Sequence, residues 1–445
     1  MMTGRAPLVL KNVALPDGRV ADISIENGTV RHVGAGRAGE NAIDCSGHLV
    51  LPGAMDFHVH MRGGSQSAKE DWRSGSKSAL AGGVTLVVDQ PNTVPPLTTP
   101  EIFAERVKEA RAHSVCHFAI NSAVTPDTDL KQLWAAGAMN FGETFFSPSS
   151  YGDAISEQAL EQALAQIRAL GGLATIHAEK IADLPDNNLQ EHAQVKSPQG
   201  EIEAIRAVQR CNRAGCRLYF CHLSTAAAVN AVSGSTVEVT PHHLFLSVES
   251  FSNPADPSGK VNPPLRTEGE RAGLWAQWDR IDIIASDHAP HTVAEKQLPF
   301  EKAPAGIPGV ETMMPLLVAK VLDKKISVAS LISRTSERPA IVLGIRKSGF
   351  ATGDRADFAL YEKSPARIHA GDLHSRSGWS PFVGMRAVFP RMVVMGGEVV
   401  FSRGEFFEGT PQWFPGRGYR KADDNSDKSG QPQNINNVNT QVKWC

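Results

Sequence analysis

Apolar and polar positions alternate near both ends of the chain and gather into short apolar runs through its middle. Between residues 7 and 50, PLVLKNVAL, ADISIENG and TVRHVGAG read as strands. They are broken at Asp17-Gly18 and Asn27-Gly28, pairs that favour tight hairpin turns. Residues 357–402 behave alike: DFALYEK, MVVMGGEVV and FSRGEFF are strand-like, with Gly396-Gly397 as a turn. The two ends therefore look like pieces of one small β domain, residues 1–52 and 351–420. Residues 421–445 are rich in Asn, Gln, Ser and Asp, cannot bury enough apolar surface to offset ordering entropy, and read as a disordered tail.

The middle, residues 53–350, repeats a strand-then-helix rhythm. The strand candidates are AMDFHVH (54–60), VTLVVD (84–89), CHFAINSAV (116–124), MNFGETFF (139–146), LATIHA (173–178), CRLYFCHLS (216–224), TVEVTP (236–241) and IDIIASD (281–287). Helical periodicity lies between them, as in PEIFAERVKEARAH (100–113), SEQALEQALAQIRALG (156–171) and EIEAIRAVQRCNRAG (201–215). Strands alternating with helices predict an α/β fold of parallel βαβ units, and this many of them fit a (β/α)8 TIM-like barrel. A doubly wound sheet is the alternative. No GxGxxG or phosphate-binding loop follows a strand, which weakens a nucleotide-binding reading.

Composition narrows the partners. Lys and Arg (45) nearly balance Asp and Glu (47), and no long basic stretch occurs. Nucleic acid and membrane are therefore poor candidates, and a small-molecule substrate is the expected partner. No apolar run reaches membrane-spanning length, and the first residues read as a strand and a turn rather than a leader. Six cysteines without a CxxC pair suit reduced thiols and a cytoplasmic location, with Cys116 and Cys221 inert in apolar runs.

The histidines carry the chemistry. His58 and His60, His177, His222, and His242 with His243 fall at or just after strand ends. Asp287 closes the eighth strand, followed by His288 and His291. In a parallel barrel the C-terminal strand ends converge on one face, so these residues become neighbours. His58 and His60, two apart on a strand, share a face. Any one such histidine is more often a hydrogen-bonded structural residue. Together, the HVH pair, two further strand-end histidines and the aspartate point to a metal site of imidazole and carboxylate ligands.

The pieces LPGAMDFHVHMR (51–62), AGGVTLVVDQPNTVPP (81–96), ATIHAE (174–179), CHLST (221–225), TPHHL (240–244), NPPLR (262–266), IIASDHAPH (283–291) and PAGIPGVET (304–312) resemble the amidohydrolase superfamily. Within it they are similar to the dihydroorotases, relatives of allantoinases and dihydropyrimidinases. The resemblance spans about residues 8–415 and implies a barrel with a β-sandwich built from both chain ends. It implies zinc, two ions per subunit, held by His58, His60, His177, His222 and Asp287. It also implies that Arg62, Asn92 and His291 grip a substrate carboxylate, while Asn262 and backbone near Ala305 and Gly306 meet the ring amide edges. Reversible cyclisation of N-carbamoyl-L-aspartate to L-dihydroorotate, a step of pyrimidine biosynthesis, is the implied reaction, with Asp287 as general base and then general acid. Partners it suggests are a second copy of the chain or other enzymes of that pathway. Allantoinase and dihydropyrimidinase or hydantoinase are the runners-up, and a ligand-poor scaffold of the same fold is the non-enzymatic alternative.

One departure stands out. Many members of the superfamily bridge their metals with a carboxylated lysine on strand four, yet no lysine occurs between Lys131 and Lys180. Glu143, or Gly142 one position earlier, falls at the matching place. A carboxylate offers the same hard oxygens and single negative charge, so Glu143 is the expected bridging ligand. Two further expectations are a substrate-covering loop at 292–310 and a role for His242 or His243 in shaping the pocket.

Overall fold

The computed structural model describes residues 7–36, 41–148 and 154–420. The tail expectation for 421–445 lies outside them. We label the barrel strands β1 (Ala54–Val59), β2 (Val84–Asp89), β3 (His117–Ile120), β4 (Phe141–Phe145), β5 (Leu173–His177), β6 (Arg217–Phe220), β7 (Thr236–Val239) and β8 (Ile283–Ile284).

All eight run parallel in sequential order, β1–β3 as one ladder and β4–β8 as another. Bridges Ser122–Phe141 and Val59–His288 join the two ladders, so the barrel closes. Its interior is filled by Met55, Phe57, Leu86, Val88, Tyr219 and Ile283, among others, with Phe57 stacked on Tyr219 at 4.4 Å between ring centroids. The site must therefore sit above this packed layer, at the strand ends.

Local chemistry sets the helices around the barrel. Asp71 and Ser74 form a capping box for Trp72–Gly82, Thr99 caps Pro100–His113, and Ser156 caps Glu157–Leu170. The helix expected at 201–215 runs instead from Pro198 to Cys211. Ser197 caps it and Pro198 opens it, and the Asn212 side chain then bonds both backbone groups of Cys216, ending the helix early. A further helix, Val310–Leu322, follows β8; its apolar residues surround Pro315, which hid it from the sequence reading.

Both chain ends form the second layer pair. A four-stranded sheet is ordered 29–34, 20–26, 8–14, 42–44, and a five-stranded sheet is ordered 405–406, 398–402, 390–395, 358–361, 49–52. Leu10, Ile23, Ile25 and Val30 from the first pack on Val50, Phe358, Leu360 and Val394 from the second, a β-sandwich core. Gly53 separates the sandwich strand Leu49–Pro52 from β1.

Strand β4 departs from regular pairing. Phe141 lies opposite Ala174 and Thr144 opposite Ile176, so three steps on β4 match two on β5. That is one extra residue, a bulge at Gly142 and Glu143 that re-aims the carboxylate. Gly142 has φ +115°, and a Cβ there would meet the Thr175 carbonyl oxygen at 2.2 Å. Gly142→Ala is therefore expected to destabilise the protein by about 2–4 kcal/mol, through strain and overpacking, measured by chemical denaturation.

Candidate metal and substrate site

A cavity of about 380 Å³ opens at the C-terminal strand ends. Of the residues expected at the site, His60, Glu143, His177, His222 and Asp287 line one side. Arg62, Asn92, Asn262, His291, Ala305 and Gly306 line the rest. His58 lies buried beside the first group.

Glu143 stands at the centre of the ligand cluster. Its Oε1 is 2.8 Å from His177 Nδ1 and 2.9 Å from His222 Nε2, and its Oε2 is 3.6 Å from His58 Nε2. Gly142 packs against β5 and offers no donor, which resolves the choice between the two positions. Asp287 Oδ1 lies 3.1 Å from His60 Nε2 and 3.6 Å from His58 Nε2. Three groups of donor atoms converge on His58: with His60 and Asp287, with Glu143 and His222, and with Cys221 and Glu238.

Outer partners set which nitrogens face inward. His58 Nδ1 donates to Glu238 Oε1 at 3.1 Å, and His60 Nδ1 donates to Asn92 Oδ1 at 2.7 Å. Both rings then turn Nε2 to the centre, the nitrogen that a cation would take in place of a proton. His58 Nε2 is buried with no hydrogen-bond partner. On the far side, His177 Nε2 lies 3.5 Å from Glu179, whose carboxylate is paired with Lys196 at 2.5 Å.

The electrostatics favour positive charge at the centre. Burial alone would lower the pKa of His58, but the carboxylates of Glu238, Glu143 and Asp287 outweigh it and hold it well above the usual range. Burial likewise works against His177, yet Glu143 and Glu179 raise it to about 9. Burial would raise Glu143 and Asp287, but the surrounding imidazoles keep both below the usual carboxylate range. Ionised carboxylates and inward imidazoles in a dry site, with a buried His58 Nε2 that lacks a hydrogen-bond partner, fit a divalent cation.

Several placements differ from simple strand alternation. β1 is bulged, since Asp56 to Val59 spans three steps against two from Val87 to Asp89. His58 and His60 still meet, with ring centroids 5.3 Å apart. Arg62 does not share a strand face with His60, because β1 ends at Val59 and Arg62 has φ +47°. It reaches the cavity because Asp89 accepts from the Met61 N–H at 2.8 Å while Arg106, paired with Asp89, donates to the Arg62 carbonyl at 2.6 Å. The loop 292–310 lines the cavity with Pro304, Ala305 and Gly306, and it is tied down where the buried Lys296 donates to the carbonyls of Pro257, Lys260 and Pro304. His243 bonds Thr240 and the Pro263 carbonyl at 3.0 Å, beside Asn262, and neither it nor His242 lines the cavity.

Sequence reasoning missed Glu238, Glu179, Lys196 and Lys69. Glu238 was visible as a lone charge inside the apolar strand TVEVTP, and Glu179 as the last residue of ATIHAE. Cys116 and Cys221 are buried as expected, and burial raises the pKa of both thiols. No helix among the described residues is long and apolar enough to cross a membrane.

The amidohydrolase family model matches residues 49–400. A curated dihydroorotase of Methanosarcina acetivorans is 38% identical, covering 93% of this chain and 96% of the relative. One of Halobacterium salinarum is also 38% identical, covering 88% and 96%. Among solved structures, the L-hydantoinase (dihydropyrimidinase) of Arthrobacter aurescens superposes with a TM-score of 0.85 at 26% identity, over 92% of this chain and 99% of that one. The chain belongs to the amidohydrolase family, a family of metal-dependent hydrolases, and within it to the dihydroorotases.

Glu238 holds His58 Nδ1 and also accepts from Tyr219 Oη at 2.5 Å and from the His222 N–H at 2.8 Å, so it would tune an ion held by His58. Glu238→Gln is expected to weaken divalent-ion retention about tenfold, measured by chelator competition with metal analysis.

Proposed function

We propose that this chain is a dihydroorotase, interconverting L-dihydroorotate and N-carbamoyl-L-aspartate at the cavity described above. The carrying observation is the charge layout. The ligand cluster and the cations Arg62 and Lys69, with His291, line one and the same cavity. A neutral cyclic amide needs only the cluster. A ring that also bears a carboxylate needs a cationic wall, and a guanidinium is well suited to it.

Divalent ions held by His58, His60, Glu143, His177, His222 and Asp287 would supply Lewis acidity and make bound water acidic near neutral pH. The protein's own groups do the rest. Asp287, ionised and beside His60, takes the proton of the attacking water. It returns that proton to the ring nitrogen as the carbon–nitrogen bond breaks, leaving a carboxylate and a ureido group. Arg62, Asn92 and His291 hold the substrate carboxylate, and Asn262 with the backbone at Ala305 and Gly306 meets the amide edges. Glu143 would supply the shared carboxylate for those ions in place of a carboxylated lysine. The same reading takes zinc as the ion, the cytoplasm as the compartment, and a homodimer or a complex with other enzymes of pyrimidine synthesis as the assembly to look for.

Assay of L-dihydroorotate, N-carbamoyl-L-aspartate, dihydrouracil, hydantoin and allantoin tests this directly. Turnover of the first two, with poor use of the neutral rings, is expected; preference for hydantoin or dihydrouracil contradicts it. Arg62→Met is expected to lower kcat/KM for dihydroorotate by about 100-fold, the loss of a charged hydrogen-bonding partner. An unchanged kcat/KM would remove the carboxylate grip. Asp287→Asn is expected to lower kcat on the order of 100- to 10,000-fold while circular dichroism stays that of the wild type. Near-normal turnover would assign the proton transfer to another group.

A further inference from the structure

Beside Arg62, the cavity wall contains a second cation that the mechanism above does not use. Lys69 Nζ lies 2.7 Å from Glu295 Oε1 and 3.3 Å from His291 Nδ1. Glu295 Oε2 is itself 3.6 Å from that same Nδ1. The opposite ring nitrogen, His291 Nε2, lies 3.1 Å from the Ala305 carbonyl oxygen and 3.4 Å from Arg62 Nη2.

These contacts compete over one proton. A neutral imidazole carries hydrogen on one nitrogen and a lone pair on the other. An ammonium can only donate, so contact with Lys69 requires a bare Nδ1 and puts the hydrogen on Nε2. Nε2–H can then donate to the Ala305 carbonyl or to an anion in the cavity. Glu295 pulls the other way, because a carboxylate accepts and would place the hydrogen on Nδ1. Nε2 would then be bare, would face the Ala305 oxygen lone pairs, and would accept from Arg62. The wall would lose one donor and have part of another diverted. The donors Lys69 and Arg62 stand at opposite ring nitrogens, which disfavours a doubly protonated ring, and burial with the nearby cations lowers the pKa of His291 in the same sense, while Glu295 opposes it.

We propose that Lys69 is a positioning residue for substrate recognition: it stands between Glu295 and His291, fixes the Nε2–H tautomer, and so makes His291 a donor to the substrate carboxylate beside Arg62. The proposal rests on the dihydroorotase reading for the identity of that carboxylate, but the tautomer itself is a property of the resting protein.

The test uses zinc-loaded full-length protein with 15N-labelled histidine. The His291 ring signals are assigned by their loss in His291→Gln, and the protonated nitrogen is read from one-bond and long-range proton–nitrogen correlations. In the wild type the hydrogen is expected on Nε2. In Lys69→Met it is expected to move to Nδ1, and in Lys69→Arg, which also only donates, to stay on Nε2. In parallel, Lys69→Met is expected to raise KM for L-dihydroorotate about tenfold with kcat changed less than about twofold, as for loss of a ground-state hydrogen bond to a charged group. An Nδ1–H tautomer in the wild type overturns the proposal, and this measurement needs His291→Gln only for assignment and no Lys69 variant. An Nε2–H tautomer retained in Lys69→Met overturns it as well. A wild-type protein that keeps the Nε2–H tautomer but does not turn over dihydroorotate would contradict the functional reading alone.

Discussion

The structure turns on one buried carboxylate placed among imidazoles. Glu143 is 2% exposed and its two oxygens face His58 and His177 on two strands and His222 just beyond a third. Removing a charge from water is costly unless opposite charge and hydrogen bonds replace the solvent. The cluster meets that demand by convergence: parallel strands bring residues that are far apart in sequence to one rim, and a one-residue bulge in β4 turns the carboxylate into their midst. Outer groups then orient each ring, Glu238 for His58, Asn92 for His60 and Glu179 for His177. What emerges is a set of hard oxygens and bare nitrogens with a standing preference for positive charge.

Across the cavity the logic is reversed. Arg62, Lys69 and His291 present donors on a wall built from loops, so that wall needs its own supports. The Asp89–Arg106 pair holds the backbone at Met61 and Arg62. The Lys296 ammonium, enclosed by three carbonyls, fixes the loop that presents Ala305 and Gly306. A cation-seeking side and an anion-seeking side a few residues apart suit a ring with a scissile amide at one end and a carboxylate at the other. The chain shares its fold with hydantoinase structural neighbours.

Much of this was legible in the sequence, for identifiable reasons. The barrel strands were readable because buried parallel strands are short apolar runs bounded by helices, and the sandwich because its hairpins turn at Asp17-Gly18, Asn27-Gly28 and Gly396-Gly397. The histidines and Asp287 were readable because ligand-type residues recur at the C-terminal ends of several parallel strands, which the fold brings together. The geometry of Arg62 was not readable, since a left-handed residue beyond the strand end follows no periodicity. Nor was the function of Lys69, which lies in a polar stretch where one charge looks like any other until the fold brings Glu295 and His291 to it. Glu238 was a visible anomaly whose meaning needed the bulge in β1 that aims His58 at it.

Metal reconstitution tests the central claim, that the Glu143 carboxylate takes the part of a carboxylated lysine. Metal-free wild-type protein and Glu143→Gln are loaded with zinc in bicarbonate-free and bicarbonate-containing buffer, and bound ions are counted beside recovered activity. The account predicts that the wild type binds about two ions per chain and regains full activity without bicarbonate, whereas Glu143→Gln loses metal and activity together. A strict bicarbonate requirement, a carboxylated lysine found by mass, or a Glu143→Gln protein with full metal content would contradict it.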